Sequence, residues 1–444
     1  MGASLLAIDR QLAQRSYYAA TADPGGAHPA LAGSAACDVA VVGAGLAGLS
    51  AALDLAERGF SVVLLEAQEV GWGASGRNGG QAIHGLACDQ DTIEAQLGLD
   101  EARRVWAMSI EALDLLRQRI ADHAIDCDWR DGYLGLATNA RKGAALGRWA
   151  DRMQARYGYP LQRISPQDMG SWIASPRYHS GIHDPLSGHL HPLKYTRGLA
   201  GAAVRAGVRL HEHSAVTRLV PGSPVRLQTA AGEVRAERVL LAGNVYLEGL
   251  VPELARRIMP VGTYIGCTEV LDRPLADSLI PSRAAVCDTN FVLDYFRTTH
   301  DHRMLYGGRV SYSTRTPRDL TAAMHARMVK TFPQLAGAAM EYAWGGFVDI
   351  SMNRAPDFGR LPHPTGAAGS GAAGNVYYLQ GFSGHGLALT GLAGRLVAEA
   401  MAGDAQRFDV FARLQHRNFP GGRLLRTPAL VLGMAAFRLR DMLG

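Results

Sequence analysis

Three glycine-rich clusters carry the residues whose types and spacing can do chemistry. The first is Gly43-Ala44-Gly45-Leu46-Ala47-Gly48, a G-x-G-x-x-G spacing. A dinucleotide pyrophosphate needs one glycine for a tight turn, one for close backbone approach and one so that the next helix packs closely. That helix N-terminus then offers free N–H groups and the positive end of its dipole to the phosphates. Glu66, 18 residues after Gly48, ends the following strand, where its carboxylate can accept both hydroxyls of a ribose. An acid there disfavours a 2′-phosphate and hence NADP. Spacing alone is weak, because Gly369, Gly371 and Gly374 repeat it. That copy follows Pro362 and Pro364 and precedes a strand, so it reads as a loop.

The second cluster is Gly71-Trp72-Gly73-Ala74-Ser75-Gly76-Arg77-Asn78-Gly79-Gly80-Gln81. Its glycines, with Ser75, Arg77 and Asn78, read as backbone laid along an anionic, planar cofactor. The third, Gly381-Phe382-Ser383-Gly384-His385-Gly386 with Leu387 behind it, is another strand–glycine–helix junction about 300 residues later. A helix starting there aims its positive dipole end at an electron-rich group, such as the N1 and C2 oxygen region of a reduced flavin. His385 lies at that start, where a cationic imidazole gains nothing from the dipole, so its neutral form is expected.

Elements must hold these clusters in place. Asp38 to Val42 is a short β-branched run of the kind found in a buried parallel strand, Leu49 to Arg58 a helix, and Ser61 to Leu65 a second strand. Together they make a βαβ unit. Residues 92–122 read as one helix, with Ile110, Leu113, Leu116 and Ile120 at three- and four-residue spacing, and Trp129 to Leu136 as a hairpin. A helix through Tyr195 to Ala206 precedes strands at 208–211 and 215–220. A meander over 225–241 then ends at Leu241-Ala242-Gly243-Asn244. Pro24, Gly25, Gly26 and Pro29 mark residues 1–36 as an extension. The expected class is mixed α/β, with a Rossmann-like domain interleaved with a β-sheet substrate domain. The first domain takes 37–90, 190–250 and 350–403, and the second 91–189 and 251–349. Residues 404–444 form a tail with a short helix.

Composition narrows the function classes. Of 444 residues 52 are glycine, well above the usual value of about 7%. Apolar residues are 48% and charged residues 19%, enough for a sizeable core. The net charge of +5 is dispersed, and 42 of 45 basic residues are arginine, so no nucleic-acid footprint forms. Five scattered cysteines without a CxxC pair fit a reduced cytoplasm and predict neither disulfides nor a metal site. No unbroken apolar stretch of about 18 residues exists, so no transmembrane segment is expected.

Taken together the three clusters resemble the D-amino-acid oxidase superfamily of FAD enzymes. Within it the chain closely resembles the γ-glutamylputrescine oxidase family, over nearly its whole length. The shared stretches include Ser16-Tyr-Tyr-Ala-Ala20, Gly73-Ala-Ser-Gly-Arg-Asn-Gly-Gly-Gln81, Ile125-Asp-Cys-Asp128, Ser187-Gly-His-Leu-His-Pro192 and Ala242-Gly-Asn-Val-Tyr-Leu247. Leu293-Asp-Tyr295, Lys330-Thr-Phe-Pro-Gln-Leu335, Ser383-Gly-His-Gly386 and Arg438-Leu-Arg-Asp-Met-Leu443 continue the likeness. The resemblance implies FAD held without a covalent link. Gly43, Ala44, Gly45, Leu46, Gly48 and Glu66 would hold the ADP half and Val216 would pack on adenine. Ser75, Arg77, Asn78, Gly79, Gly80, Gln81, Gly243, Gly384, His385, Gly386 and Leu387 complete the cofactor set. It also implies oxidation of a C–N bond in a γ-glutamylated polyamine to an aldehyde, with oxygen or another electron acceptor. His84, Tyr264, Tyr295, Trp344 and Phe382 are the candidates for the substrate pocket.

Departures bear on the substrate. Gly391 stands where that family leads one to expect histidine and Phe382 where tyrosine is common; Gly366 to Gly374 reads as an extra loop. Trp129 and Tyr133 fall in a segment that varies among relatives, and all these sites are expected to be able to face substrate. Amino-acid oxidases usually grip the substrate carboxylate with an arginine just after a Trp-x-Gly turn. Here Trp344-Gly345-Gly346 runs through Phe347, Val348, Asp349 and Ile350 without one. Arg354 follows later and is expected to pair with Asp349 or Asp357. The alternatives are a D- or N-methyl-amino-acid oxidase, and a membrane-associated dehydrogenase feeding quinone. The second rests on the apolar stretch Ala429 to Phe437 with Arg438 and Arg440 behind it.

Overall fold

The computed structural model describes residues 5–13, 16–290, 292–311, 319–362 and 374–420. Residues 366–373 of the expected extra loop, and the stretch Ala429 to Phe437, lie outside the described residues.

The βαβ unit forms as its pattern dictates. The first strand spans Gly33–Val42, with its last four residues buried. The helix Leu46–Glu57 follows, and the strand Val62–Leu65 pairs parallel with Val39 to Val42. The helix begins three residues earlier than the apolar spacing indicated, because Gly45 in extended backbone caps it without a side chain. Gly59, at φ +88°, stops the turn that follows. The strand Gly232–Leu241 runs parallel to Gly33–Val42 from Gly33↔Gly232 to Val42↔Leu241, which sets Gly243 beside Gly43. Val376–Gln380 adds another parallel strand beyond it, and Asp357–Arg360 closes that edge antiparallel. Arg209–His211 lies on the opposite edge.

A second, nine-stranded sheet runs in the order Met340–Ser351, Ile258–Thr268, Met304–Ser311, Tyr295–Thr298, Ala285–Asp288, Arg130–Ala137, Ser180–His189, Gln81–Ala82. Gln162–Ile164 adds to it along Ser180–His189. Its pairings are antiparallel except Ala285–Asp288 beside Arg130–Ala137. The expected hairpin at 129–136 is instead one strand, Arg130–Ala137, whose partners come from Ser180–His189 and Ala285–Asp288. Its apolar residues are covered by distant chain, not by a neighbouring turn of the same segment.

Two further expectations are corrected. The helix over 92–122 is two, Gln90–Leu97 and Leu99–Asp122, because Gly98 at φ +82° turns the chain between them. The described residues before 36 do form regular elements. Helices Leu5–Ala13 and Tyr17–Thr21 precede the irregular Pro24–Pro29 region, and the long strand already starts at Gly33. Asp9, Tyr17 and Tyr18 are buried, so these helices are docked on the body of the protein. No described helix is long and apolar enough to cross a membrane.

Candidate cofactor and substrate site

Ligands of open parallel sheets bind beyond the carboxyl ends of the strands. A cleft of about 360 Å³ lies there, walled by Gly43, Gly45, Leu46, Glu66, Ser75, Val216, Gly243 and Phe382 among others. Tyr246 from the 3₁₀ turn Asn244–Leu247 and Leu6 from the N-terminal helix complete it.

The glycines are shaped by contact. A Cβ on Gly48 would stand 2.0 Å from the Gly43 carbonyl oxygen, and one on Gly43 would stand 2.7 Å from that of Ala242. A Cβ on Gly45 would lie 2.8 Å from Ser75 Oγ. Ser75 Oγ accepts the Leu46 N–H at 2.9 Å, so a hydroxyl already sits against the free N–H end of helix Leu46–Glu57. Glu66 accepts the Ala44 N–H at 2.7 Å and the Gln68 N–H at 2.9 Å. Burial raises the pKa of its carboxyl, and these N–H bonds oppose that rise.

The Gly71–Gln81 loop spends its polar side chains on protein. Asn78 donates to the Ala74 and Ser75 carbonyls and accepts the Gly80 N–H at 2.8 Å, folding the loop on itself. Arg77 makes a buried ion pair with Asp9 at 2.9 Å, with its guanidinium 4.9 Å from the ring of Trp72 in the cleft wall, and Trp344 Nε1–H donates to the Arg77 carbonyl. Gln81 donates to the carbonyls of Val286 and Phe296 in the second sheet. What this loop keeps for a ligand is its glycine backbone, Ser75 in the cleft wall and Arg77 Nη2, a buried donor with no hydrogen-bond partner among the described residues. Gly79 and Gly80 stay small because Tyr295 and Leu190 lie against them, at 2.7 and 2.2 Å from a Cβ.

The late junction is held from beneath. Gly381, Ser383 and Gly384 all have positive φ, a costly run for a non-glycine residue such as Ser383. Buried Asp349 accepts the N–H groups of Gly381 and Phe382, and its carbonyl accepts the Ser383 N–H at 3.0 Å. Burial pushes the Asp349 carboxyl up to about 6 despite those donors. Helix Gly386–Met401 then starts after His385, with no side-chain cap on its free N–H groups. The Nε2 of His385 lies 2.7 Å from the His84 carbonyl, which can only accept, so the proton is on Nε2. Burial pushes His385 down to about 4, which keeps the ring neutral as expected.

The candidate pocket residues scatter. Phe382 lines the cleft and packs on Phe358. Trp344 and Tyr264 are fully buried core, while Tyr295 is half-buried over Gly79 and Gly307. His84 sits in a cluster of aromatic rings next to His385. Gly391 is partly buried, and its carbonyl accepts from Ser50 and Arg119. Arg354 is exposed and pairs with neither acid. Asp349 holds the late turn, and Asp357 binds Arg257, Tyr378 and Gln380. Sequence reasoning missed Asp9, Tyr246, Asp184 and the turn-holding role of Asp349. An acid in an otherwise apolar strand, Phe347 to Ile350, was the one available signal for the last.

A cradle of unsubstituted glycines, a free helix N-terminus and a strand-ending acid fit the ADP half of FAD. Residues 38–400 match the family model described as FAD dependent oxidoreductase. The chain belongs to that family. It is 46% identical over 97% of its length, and 98% of the other, to gamma-glutamylputrescine oxidoreductase of Escherichia coli. It is 39% identical over 96% of its length, and 97% of the other, to a probable oxidoreductase of Haemophilus influenzae. This FAD-dependent oxidoreductase shares its fold with glycine oxidase from Geobacillus kaustophilus. The TM-score is 0.68 at 21% identity, covering 83% of this chain and 95% of that one.

Neutral His385 sets one expectation. His385→Ala should weaken FAD binding about tenfold, as loss of one buried hydrogen bond does. The pH midpoint of FAD reduction by substrate should not move, because a ring held near 4 does not titrate between pH 6 and 9. Stopped-flow reduction across that range checks it; a vanished midpoint with FAD still bound would make His385 the base.

Proposed function

We propose that this flavoenzyme oxidises the C–N bond of a γ-glutamylated polyamine, giving an imine that water converts to aldehyde and ammonia. The observation that carries the reading is the near full-length likeness to the Escherichia coli gamma-glutamylputrescine oxidoreductase. A local feature agrees with it. The position after Trp344-Gly345-Gly346 where amino-acid oxidases place a carboxylate-gripping arginine holds none, and Asp349 there braces the late turn instead. A reacting carbon that bears no carboxylate suits such a site. Bound FAD supplies the two-electron acceptor.

The chain's share is binding, orientation and electrostatics. The Gly43–Gly48 turn and Glu66 would hold the ADP half, and Val216 the adenine. The Gly79–Gly80 backbone and the start of helix Gly386–Met401 would flank the ring system. FAD would be held without a covalent link. The chain would divide into a cofactor unit (37–90, 190–250 and 350–403) and a substrate unit (91–189 and 251–349), with the helices before residue 22 bridging them. The acceptor would be oxygen or another oxidant, in the cytoplasm.

Anaerobic mixing with γ-glutamylputrescine should bleach the FAD absorbance at least 100-fold faster than sarcosine or D-alanine does. Acid should release yellow flavin into the supernatant. Preferential bleaching by sarcosine or D-alanine would replace this reading with an amino-acid oxidase, and a yellow pellet would mean a covalent link.

A further inference from the structure

Oxidation of an amine by hydride loss needs nitrogen's lone pair free, yet an alkylammonium with a pKa of about 10 holds its proton at neutral pH. Some group must take that proton before the C–H bond breaks. His84 has the required surroundings. It lies two residues beyond the strand Gln81–Ala82 that continues the Gly71–Gln81 loop, and its carbonyl accepts the His385 Nε2–H at 2.7 Å. It therefore stands between the two elements that would flank the FAD ring system.

Its ring is fixed by Asp184, whose Oδ2 lies 2.6 Å from His84 Nδ1. Asp184 is fully buried, and it also accepts from the Tyr159 hydroxyl at 2.9 Å, the Ser187 hydroxyl and the Leu186 N–H at 2.9 Å. Burial alone would raise its pKa. The hydrogen bonds from His84, Ser187 and Leu186 overcome this and hold it down to about 2, so it is a carboxylate. A carboxylate can only accept, so Nδ1 carries a proton and Nε2 is the atom left for chemistry. Nε2 makes no hydrogen bond among the described residues, and the side chain keeps about a tenth of its surface open.

The walls around the ring are aromatic. The rings of Trp106, Tyr133, Trp149 and Tyr159 stand 5.3 to 5.9 Å from that of His84, centre to centre. Asp184 places an opposite charge at hydrogen-bond distance from the imidazolium that proton transfer would form. The other titratable groups facing it do not compete. Burial and nearby acids push the Tyr133 and Tyr159 hydroxyls well above their usual range, and burial keeps His385 neutral with its Nε2–H already engaged.

We propose that the His84–Asp184 pair is the proton acceptor for the substrate ammonium. The N–H bond of the ammonium breaks, its electron pair stays on nitrogen, and the proton passes to His84 Nε2. Asp184 balances the imidazolium so formed and never itself takes the proton. The hydrogen on the adjacent carbon would then leave with its bonding electron pair as hydride, for which bound FAD is the acceptor, while the nitrogen lone pair closes the C=N bond. Asp184 is thus a positioning residue, and His84 the group that touches substrate. The inference rests on the amine-oxidase reading above.

The test is the pH profile of anaerobic FAD reduction by γ-glutamylputrescine from pH 6 to 10, in the holoenzyme and in His84→Gln and Asp184→Asn. His84→Gln should retain FAD and shift the rising limb up by about two pH units or more, toward the free amine's own pKa. Its rate at pH 7 should fall about 10²-fold, and recover to within a few-fold at pH 10. Asp184→Asn should shift the limb the same way by less. A uniform rate loss with an unmoved midpoint overturns the proposal, as does loss of FAD from both variants, because a pair serving the substrate alone leaves FAD in place. If the wild-type FAD is reduced by no γ-glutamylated amine, the functional reading fails first, and the two failures are distinct.

Discussion

Gly48→Ala is expected to give a protein that carries no FAD as purified. The added methyl would meet the Gly43 carbonyl oxygen at 2.0 Å and the Gly43 carbonyl carbon and Val41 Cγ1 at 3.2 Å. Two of those three atoms are backbone, in the turn that joins strand to helix, and cannot swing aside. Helix Leu46–Glu57 must therefore lift from the strand Gly33–Val42. Its buried face, with Leu49, Leu53 and Leu55 fully enclosed, loses packing along its length. Overpacking of this kind costs about 3 kcal/mol. The lift also carries the helix N-terminus away from the phosphate position, where amide contacts act only at hydrogen-bond distance. FAD affinity should fall at least 100-fold, read as the ratio of flavin to protein absorbance after gel filtration. Gly170→Ala is the matched control, because a Cβ there meets nothing within 4 Å. A Gly48→Ala protein that is as yellow as wild type would mean the helix can yield without cost.

That close approach was readable because it is local. A tight turn, a capless helix start and a strand-ending acid fall within the stretch Val39 to Glu66, and each leaves a residue-type mark. The second sheet left none. Its pairing of Arg130–Ala137 with Ser180–His189 and Ala285–Asp288 joins segments far apart along the chain. An extended apolar segment says that a strand has partners without saying which, so 129–136 read equally well as a hairpin. Buried polar pairs are hidden for the same reason. His84 meets Asp184 at a separation of 100 residues, and Arg77 meets Asp9 at 68. Nothing in the glycine-rich loop announces that a helix near the start of the chain supplies Asp9 as the partner of Arg77. The irregular run Pro24–Pro29 carries no mark of the packing of Leu5, Leu12, Tyr17 and Tyr18 before it, whose burial docks these helices on the body of the protein.

The Asp349 carboxyl ties the two sheets together. Asp349 belongs to the second sheet, in the strand Met340–Ser351. Its acceptors hold Gly381 and Phe382 at the end of a strand of the first, and Asn244 of the cleft wall donates to it as well. Ser351 reinforces the joint through its N–H to Ser383 Oγ at 3.2 Å. The start of helix Gly386–Met401 is thus placed by the sheet opposite to the one its own strand belongs to. A change in the second sheet should be felt at the end of the site that would face the electron-rich edge of FAD.

Asp349→Ala should therefore lose both stability and FAD. The substitution strips the acceptor from two buried N–H groups in a turn where three residues have positive φ. Each orphaned donor costs about 1–3 kcal/mol, so roughly 4 kcal/mol in all is expected. Asp349→Asn keeps an acceptor oxygen and should lose less than half as much. The pH dependence separates charge from contact. The folded-state pKa, about 6, lies above the unfolded value of 3.8. The native state thus binds its proton more tightly. The stability this contributes is fully present below pH 3.8 and is lost as the pH rises through about 6, to the extent of about 3 kcal/mol at pH 7. Asn cannot ionise, so the difference between wild type and Asp349→Asn should change by roughly that amount between about pH 4 and pH 7, in favour of Asn at the higher pH. Buried Asp288, also near 6, is common to both proteins and cancels from the difference. Urea midpoints measured at half-unit steps give the curve. A difference that stays flat across that range would mean the Asp349 carboxyl is already ionised at the acid end, with its N–H donors outweighing burial.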